Sequence, residues 1–203
     1  MKIAVLGTGR VARVIGGGLA AAGHDVVFAS RNPAQQSGLP GPAAEVGPAV
    51  GDADVIVDAI PGAAVMDALN ALGTAALAGK ILMEVANDLS PNFELNYPNA
   101  SLGAAVQEAF PQTLVVKTLN TVQAPLMNNP SGLPSPSTVF LAGNDAGAKS
   151  AVSGLLGDLG WAPGWQIDLG DISQARATEH FIFLSFAISQ SLNTTNANIS
   201  VVR

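Results

Sequence analysis

The segment from Leu6 to Ala12, Leu-Gly-Thr-Gly-Arg-Val-Ala, places two glycines and an alanine at the spacing G-x-G-x-x-A. That spacing suits a pyrophosphate. Gly7 permits a tight turn, Gly9 lets backbone approach a phosphate, and Ala12 keeps the following helix close to a sheet. A helix N-terminus offers unpaired N–H groups and a partial positive charge to the same phosphates. Thr8 adds a hydroxyl donor. A second group, Ser30, Arg31 and Asn32, closes the next apolar run, and Arg31 stands 24 positions after Gly7 (31 − 7). A site for NAD places a carboxylate about 20 residues on, to hold a ribose hydroxyl. Here a hydroxyl, a guanidinium and an amide stand in its place. A guanidinium pairs with a 2′-phosphate through two charge-assisted bonds, where an acid would repel it. With Arg10 as a second cation, the pattern predicts NADP(H) as the ligand.

These residues need a scaffold, and the hydrophobic pattern supplies one. Short apolar runs at 2–6, 25–29, 54–60, 80–86, 113–119 and 137–143 read as strands, with a last short one near 164–170. Helical patterns lie between them, after the glycine loop and at 62–73, 101–110 and 145–160, and a long helix starts near Ser173. Such alternation predicts an α/β, Rossmann-like, doubly wound and mostly parallel sheet with a short C-terminal helical lobe. The expected division is 1–170 for nucleotide binding and 171–203 for a helical segment packed on it. Two segments resist the pattern. Residues 32–52, rich in Pro and Gly, leave little room for a normal helix plus strand. Residues 120–137 form a polar, proline-punctuated loop of a length that usually carries function or disorder.

Composition narrows the possibilities. The 203 residues are 48% hydrophobic and 12% charged, with a formal net charge of −6 and a mean hydropathy of +0.36. That supports one well-buried core. An acidic chain without a basic run is a poor candidate for nucleic acid or an anionic membrane. The sequence has no cysteine, which excludes disulfides and thiolate chemistry, and His24 and His180 stand too far apart in sequence to suggest a metal. No secretory signal is visible and the longest late apolar run is far short of the roughly 20 residues of a membrane span. A cytoplasmic protein is expected. The apolar stretch Phe181–Ile188 predicts a homodimer contact.

Read in order, "MKIAVLGTGRVA", "AAAGHDVVFASRNP", "ADVIVDAIP", "GKILMEVAND", "VVKTLNTV" and "VFLAGNDAGAK" resemble the family of F-420-dependent NADP oxidoreductases. The resemblance covers nearly the whole chain. Its members exchange hydride between NADP(H) and the deazaflavin coenzyme F-420 (F420); similar domains occur in ferric reductases that use a flavin. The resemblance implies that Thr8, Gly9, Arg10 and Val11 touch the diphosphate and that Ser30 and Arg31 hold the 2′-phosphate. It implies that Ala59, Ile60 and Pro61 lie under the nicotinamide-side ribose, with Ala86 and Asn87 beside the nicotinamide. Where the family usually reads T-N-P, this chain has Ala86-Asn87-Asp88, so Asp88 is expected as a carboxylate beside the hydride site.

Other residues invite chemistry less strongly. Lys117 lies on a strand, and Asn120 and Thr121 are read as pocket-shaping. Glu179 and His180 are adjacent on a helix, so they point about 100° apart and form no same-face pair; one of them is expected to cap the pocket or a subunit contact. His24 is read as a turn residue, and Trp161 and Trp165 as packing. No catalytic side chain is assigned. Hydride transfer between two flat rings, with F420 or a flavin as co-substrate, needs little acid–base machinery. The competing readings are an NADPH-dependent reductase of a small imine or carbonyl, and a non-catalytic NADP(H) sensor. The first needs a proton donor and generally a longer helical C-terminus than the 33 residues after Gly170 (203 − 170).

Overall fold

The computed structural model describes residues 1–202. Its strands are β1 (Lys2–Leu6), β2 (Asp25–Ser30), β3 (Ala43–Glu45), β4 (Val55–Asp58), β5 (Ile81–Glu84), β6 (Leu114–Thr118), β7 (Val139–Gly143) and β8 (Gln166–Asp168). They form one sheet in the order β3-β2-β1-β4-β5-β6-β7-β8. The first six are parallel, β7 is antiparallel to β6, and β8 is parallel to β7. The helices are α1 (Arg10–Ala21), α2 (Val46–Asp52), α3 (Gly62–Leu72), α4 (Thr74–Leu77), α5 (Leu102–Ala109), α6 (Ala146–Asp158) and α7 (Ala175–Leu192). This is the Rossmann-like, mostly parallel architecture that the alternating pattern predicts.

Side chains alternate across the sheet with the period of two that strands impose. Val5, Val57, Met83 and Val116 face α1 and α6. Ala4, Ile56, Leu82 and Val115 face α2, α3 and α5. Both faces are covered, so the central strands read as continuous apolar runs. Each fully buried Leu, Ile or Val contributes about 1.5–3 kcal/mol. Side-chain caps fix two helix starts: Ser101 accepts from the Ala104 N–H, and Asp145 from the Ala148 N–H.

The segment 32–52 is abbreviated, as its Pro and Gly content implies. It holds a strand of three residues, β3, and a helix of two turns, α2. Pro48 is tolerated because it sits in the first turn, where a missing N–H is no loss, and Ala49 and Val50 are buried against the sheet. The loop 120–137 is built rather than loose. It makes short 3₁₀ turns at Ala124–Leu126 and Pro130–Gly132. Val122, Leu126 and Met127 join the core on the α1 and α6 face. Trp161, fully buried, donates its indole N–H to the Met127 carbonyl at 2.9 Å.

Candidate functional site

A cavity of about 480 Å³ opens at the carboxyl ends of the central strands, where the chain order of a doubly wound sheet reverses. Its walls come from the glycine loop (Gly9, Arg10, Val11), the end of β4 (Ala59, Ile60, Pro61), the end of β5 (Val85, Ala86, Asn87) and the loop after β6 (Asn120, Thr121, Met127). Ile182, Ser185 and Phe186 of α7 close its outer side. The sequence-predicted residues from Gly9 to Val11, Ala59 to Pro61, Ala86, Asn87, Asn120 and Thr121 therefore share one space.

Each wall has a local cause. Gly7 has φ +108°, and a Cβ there would stand 2.8 Å from the Ala59 carbonyl oxygen; only glycine allows the loop to pass so close to β4. Gly9 stands at the N-cap of α1 in extended backbone, and no side chain caps the helix. A Cβ at Gly9 would meet nothing within 4 Å, and Gly9, Arg10 and Val11 at the start of α1 line the cavity. Those features fit a diphosphate. Thr8 is held by a residue the sequence reading did not single out. Arg13 donates through Nε to the Thr8 carbonyl at 2.9 Å and through its terminal nitrogens to the carbonyls of Gly38 and Ser37, at 2.6 and 3.2 Å. It ties the glycine loop to the segment after β2.

Ser30, Arg31 and Asn32 lie beyond the cavity at the end of β2. Ser30 is buried, and its Oγ accepts the Asn32 N–H at 3.1 Å. Arg31 and Asn32 are exposed. Among the described residues the Arg31 and Arg10 guanidinium groups make no hydrogen bond or ion pair, which leaves both free for an anion.

The inner wall is a shelf gripped from behind. Asn87 Nδ2 donates to the Asn120 carbonyl at 2.8 Å, and Asn120 Nδ2 donates to Asn87 Oδ1 at 3.0 Å. Buried Leu119, before Asn120, takes φ +58°, a costly backbone for leucine that turns Asn120 toward this pair. Beneath the shelf, register aligns Asp58, Glu84 and Lys117 across three adjacent strands on one face. Glu84 accepts the Ala86 N–H at 2.6 Å. Lys117 Nζ donates to Glu84 at 2.5 Å, to the Ala86 carbonyl at 2.5 Å and to Glu179 of α7 at 2.7 Å. Glu179 also accepts the N–H groups of Leu102 and Gly103 at the start of α5, at 2.9 and 3.2 Å. Glu179 is thus an internal anchor, whereas exposed His180 bonds through Nε2 to the Pro98 carbonyl at 3.0 Å.

Three carboxyl groups share this buried space with one ammonium. Burial raises the pKa of Asp58 from 3.8 to about 8, with the Glu84 charge adding to the rise and the Ile60 N–H and Lys117 opposing it. Neither Asp58 oxygen has a hydrogen-bond partner among the described residues. Burial likewise lifts Glu84 against the pull of Lys117. For Lys117, burial works to strip the proton, but Glu84 and Glu179 outweigh it and hold the ammonium above its ordinary range. Lys117 is therefore a fixed cation with all its protons committed, not a proton donor to the cavity.

Asp88 does not line the cavity. It is buried, and its carboxylate accepts from Asn96 Nδ2 at 2.8 Å, pinning the excursion 88–100. At the tip of that excursion Phe93 takes φ +61° and meets Phe183 and Phe186 of α7 edge-on, with centroids 5.7 and 4.6 Å apart. These three rings form a lip on the α7 side of the cavity. Among the described residues no group of three His, Cys, Asp or Glu could hold a metal ion, and no helix is long and apolar enough to cross a membrane.

Comparison with known proteins follows the same lines. A family model described as NADP oxidoreductase, coenzyme F420-dependent, matches residues 2–88. A candidate F420-dependent NADP reductase of Arthrobacter sp. FB24, solved by crystallography, is 38% identical, with a TM-score of 0.92 and coverage of 100% of both chains. A hypothetical protein of Sinorhizobium meliloti is 25% identical, with a TM-score of 0.73 over 86% of this chain and 88% of its own. The rat metalloreductase STEAP3 is 31% identical over 185 residues, which are 88% of this chain. The chain spans 36% of the length of that metalloreductase.

Proposed function

This chain belongs to the family of coenzyme F420-dependent NADP oxidoreductases, and from that premise we propose that it passes a hydride between NADP(H) and a flat, flavin-like partner, F420 or a flavin. The observation that carries the reading is the cavity's chemistry: among the described residues, Arg10 is its one ionisable lining residue. A carbonyl or imine reductase needs a proton donor at the reacting carbon. Transfer between two rings needs them face to face, with donor and acceptor carbons about 3–3.5 Å apart and water kept out.

On this reading the free N–H groups of α1 and Gly9 take the diphosphate. Ser30, Arg31 and Asn32 take the 2′-phosphate, and Ala59, Ile60 and Pro61 border the ribose on the nicotinamide side. The Ala86–Asn87 shelf, fixed by Glu84, Lys117 and Asn120, orients the nicotinamide. Bound NADPH supplies the hydride. Ile182, Phe186 and Met127 exclude water from the acceptor side, and the phenylalanine lip offers ring edges and faces to a flat acceptor.

The test is an acceptor screen. Purified protein is mixed with NADPH and, separately, F420, FMN, FAD and cyclic imines, while NADPH absorbance is followed. Oxidation by F420 or a flavin is the expected result. Turnover with imines alone would overturn it in favour of a small-substrate reductase, and tight binding without any turnover would make the protein a sensor.

A further inference from the structure

Asp58 is unlike every other polar side chain described. Its relative exposure is 0%, and it is the only residue whose buried side-chain oxygens lack any partner among the described residues. Such a group calls for a physical reason. Its position supplies one. Asp58 ends β4 immediately before Ala59, Ile60 and Pro61, which line the cavity. Its neighbours in the charged row, Glu84 and Lys117, grip Ala86 by its N–H and its carbonyl. The charged groups that face it are Glu84 from β5, Lys117 from β6 and, behind Lys117, Glu179 from α7. β1 and α3 bring apolar groups, Leu6 and Val65, to this side of the sheet. Lys117 already serves two carboxylates, so a third has no cation of its own.

We propose that Asp58 is a positioning residue that provides the counter-charge for the oxidised nicotinamide, remaining protonated beneath neutral NADPH and ionising when the positively charged NADP⁺ ring occupies the shelf. This rests on the nucleotide placement proposed above. The step is a proton equilibrium. When NADP⁺ binds, the Asp58 O–H bond breaks and the proton passes to buffer, and no bond of the nucleotide changes. The consequence is a tighter grip on NADP⁺ than neutral shelf residues would give, and so a stronger tendency of bound NADPH to give up its hydride. Linkage fixes the sign. Because the Asp58 pKa is about 8 before binding, NADP⁺ affinity rises with pH up to that value, by at most about tenfold per pH unit. NADPH affinity lacks this component.

Calorimetric titration of the full chain with NADP⁺ and with NADPH, in two buffers of different ionisation enthalpy near pH 7, counts the protons released. The 2′-phosphate is common to both nucleotides, so their difference isolates the ring charge. Wild-type protein is expected to release roughly half to one more proton with NADP⁺ than with NADPH. Asp58→Asn is expected to abolish that difference while still binding both nucleotides. Equal proton counts in the wild type, a measurement that needs no variant, would overturn the proposal. So would a difference that survives in Asp58→Asn or in the apolar second variant Asp58→Val. Failure of either nucleotide to bind at all would instead overturn the placement on which it rests.

Discussion

Replacing Asp58 by Asn changes how stability depends on pH, and the size of the change follows from its burial. The ordinary carboxyl pKa is 3.8, whereas burial holds that of Asp58 at about 8. Between those values the unfolded chain releases a proton that the folded chain keeps. The folded state then binds more protons, so wild-type stability falls as pH rises from about 4 to about 8 and levels off above. At pH 7 the gap spans about 3 pH units, and at about 1.4 kcal/mol per unit it reaches as much as about 4 kcal/mol. Asparagine keeps the shape and does not titrate. Its own unpaired amide costs a constant amount, so the informative quantity is the change in the difference between the two proteins. Asp168 and Asp171, both lowered, titrate in both proteins and largely cancel, whereas Glu84, also raised, shares the buried row with Asp58, so the difference reads the titration of that pair. Urea unfolding followed by tryptophan fluorescence suits the measurement, because Trp161 is fully buried. The stability of Asp58→Asn relative to wild type is expected to rise by about 2–4 kcal/mol between pH 4.5 and 7.5. Parallel curves, within about 0.5 kcal/mol, would refute the claim that Asp58 is folded as the neutral acid.

Two further outcomes are expected. Replacing Ser30 by Asp and Arg31 by Ala together should weaken NADPH binding about 10- to 100-fold, the worth of charge-assisted phosphate contacts, while leaving NADH binding nearly unchanged; equal losses for the two nucleotides would mean these residues do not meet the 2′-phosphate. Lys117→Met should cost about 3–5 kcal/mol at neutral pH by stranding Glu84 and Glu179, a loss that thermal unfolding measures; a change within about 0.5 kcal/mol would mean that the ion row does not hold the sheet to α7.

The glycine loop, and the place of Ser30 and Arg31 at the end of β2, were legible because their causes are local. Gly7, Gly9 and Ala12 act within one turn, and the strand before them is a plain apolar run. The crossover at 32–52 was legible as abbreviated but not in its elements, because Pro and Gly lower the local propensity for both states, while burial of Ala49 and Val50 supplies what propensity withholds. The charged row was illegible for a different reason. Asp58, Glu84 and Lys117 each look like a polar residue ending a strand, where solvent normally begins. Only the register of β4, β5 and β6, together with Glu179 arriving from α7, makes them a buried cluster. Asp88 was misjudged because sequence adjacency to Asn87 says nothing about which side of the turn it faces, and Asn96 claims its carboxylate.

The Glu179 anchor also has a consequence in time. Its bonds to Lys117 and Leu102 span 62 and 77 residues, and they join α7 to the centre of a sheet whose strands all precede it. As the chain leaves the ribosome, β4, β5 and β6 can pair early, but their ion row lacks one carboxylate until α7 emerges. The sheet interior therefore cannot become fully dry before α7 has emerged, and the cavity wall and this helix mature together as one cooperative event.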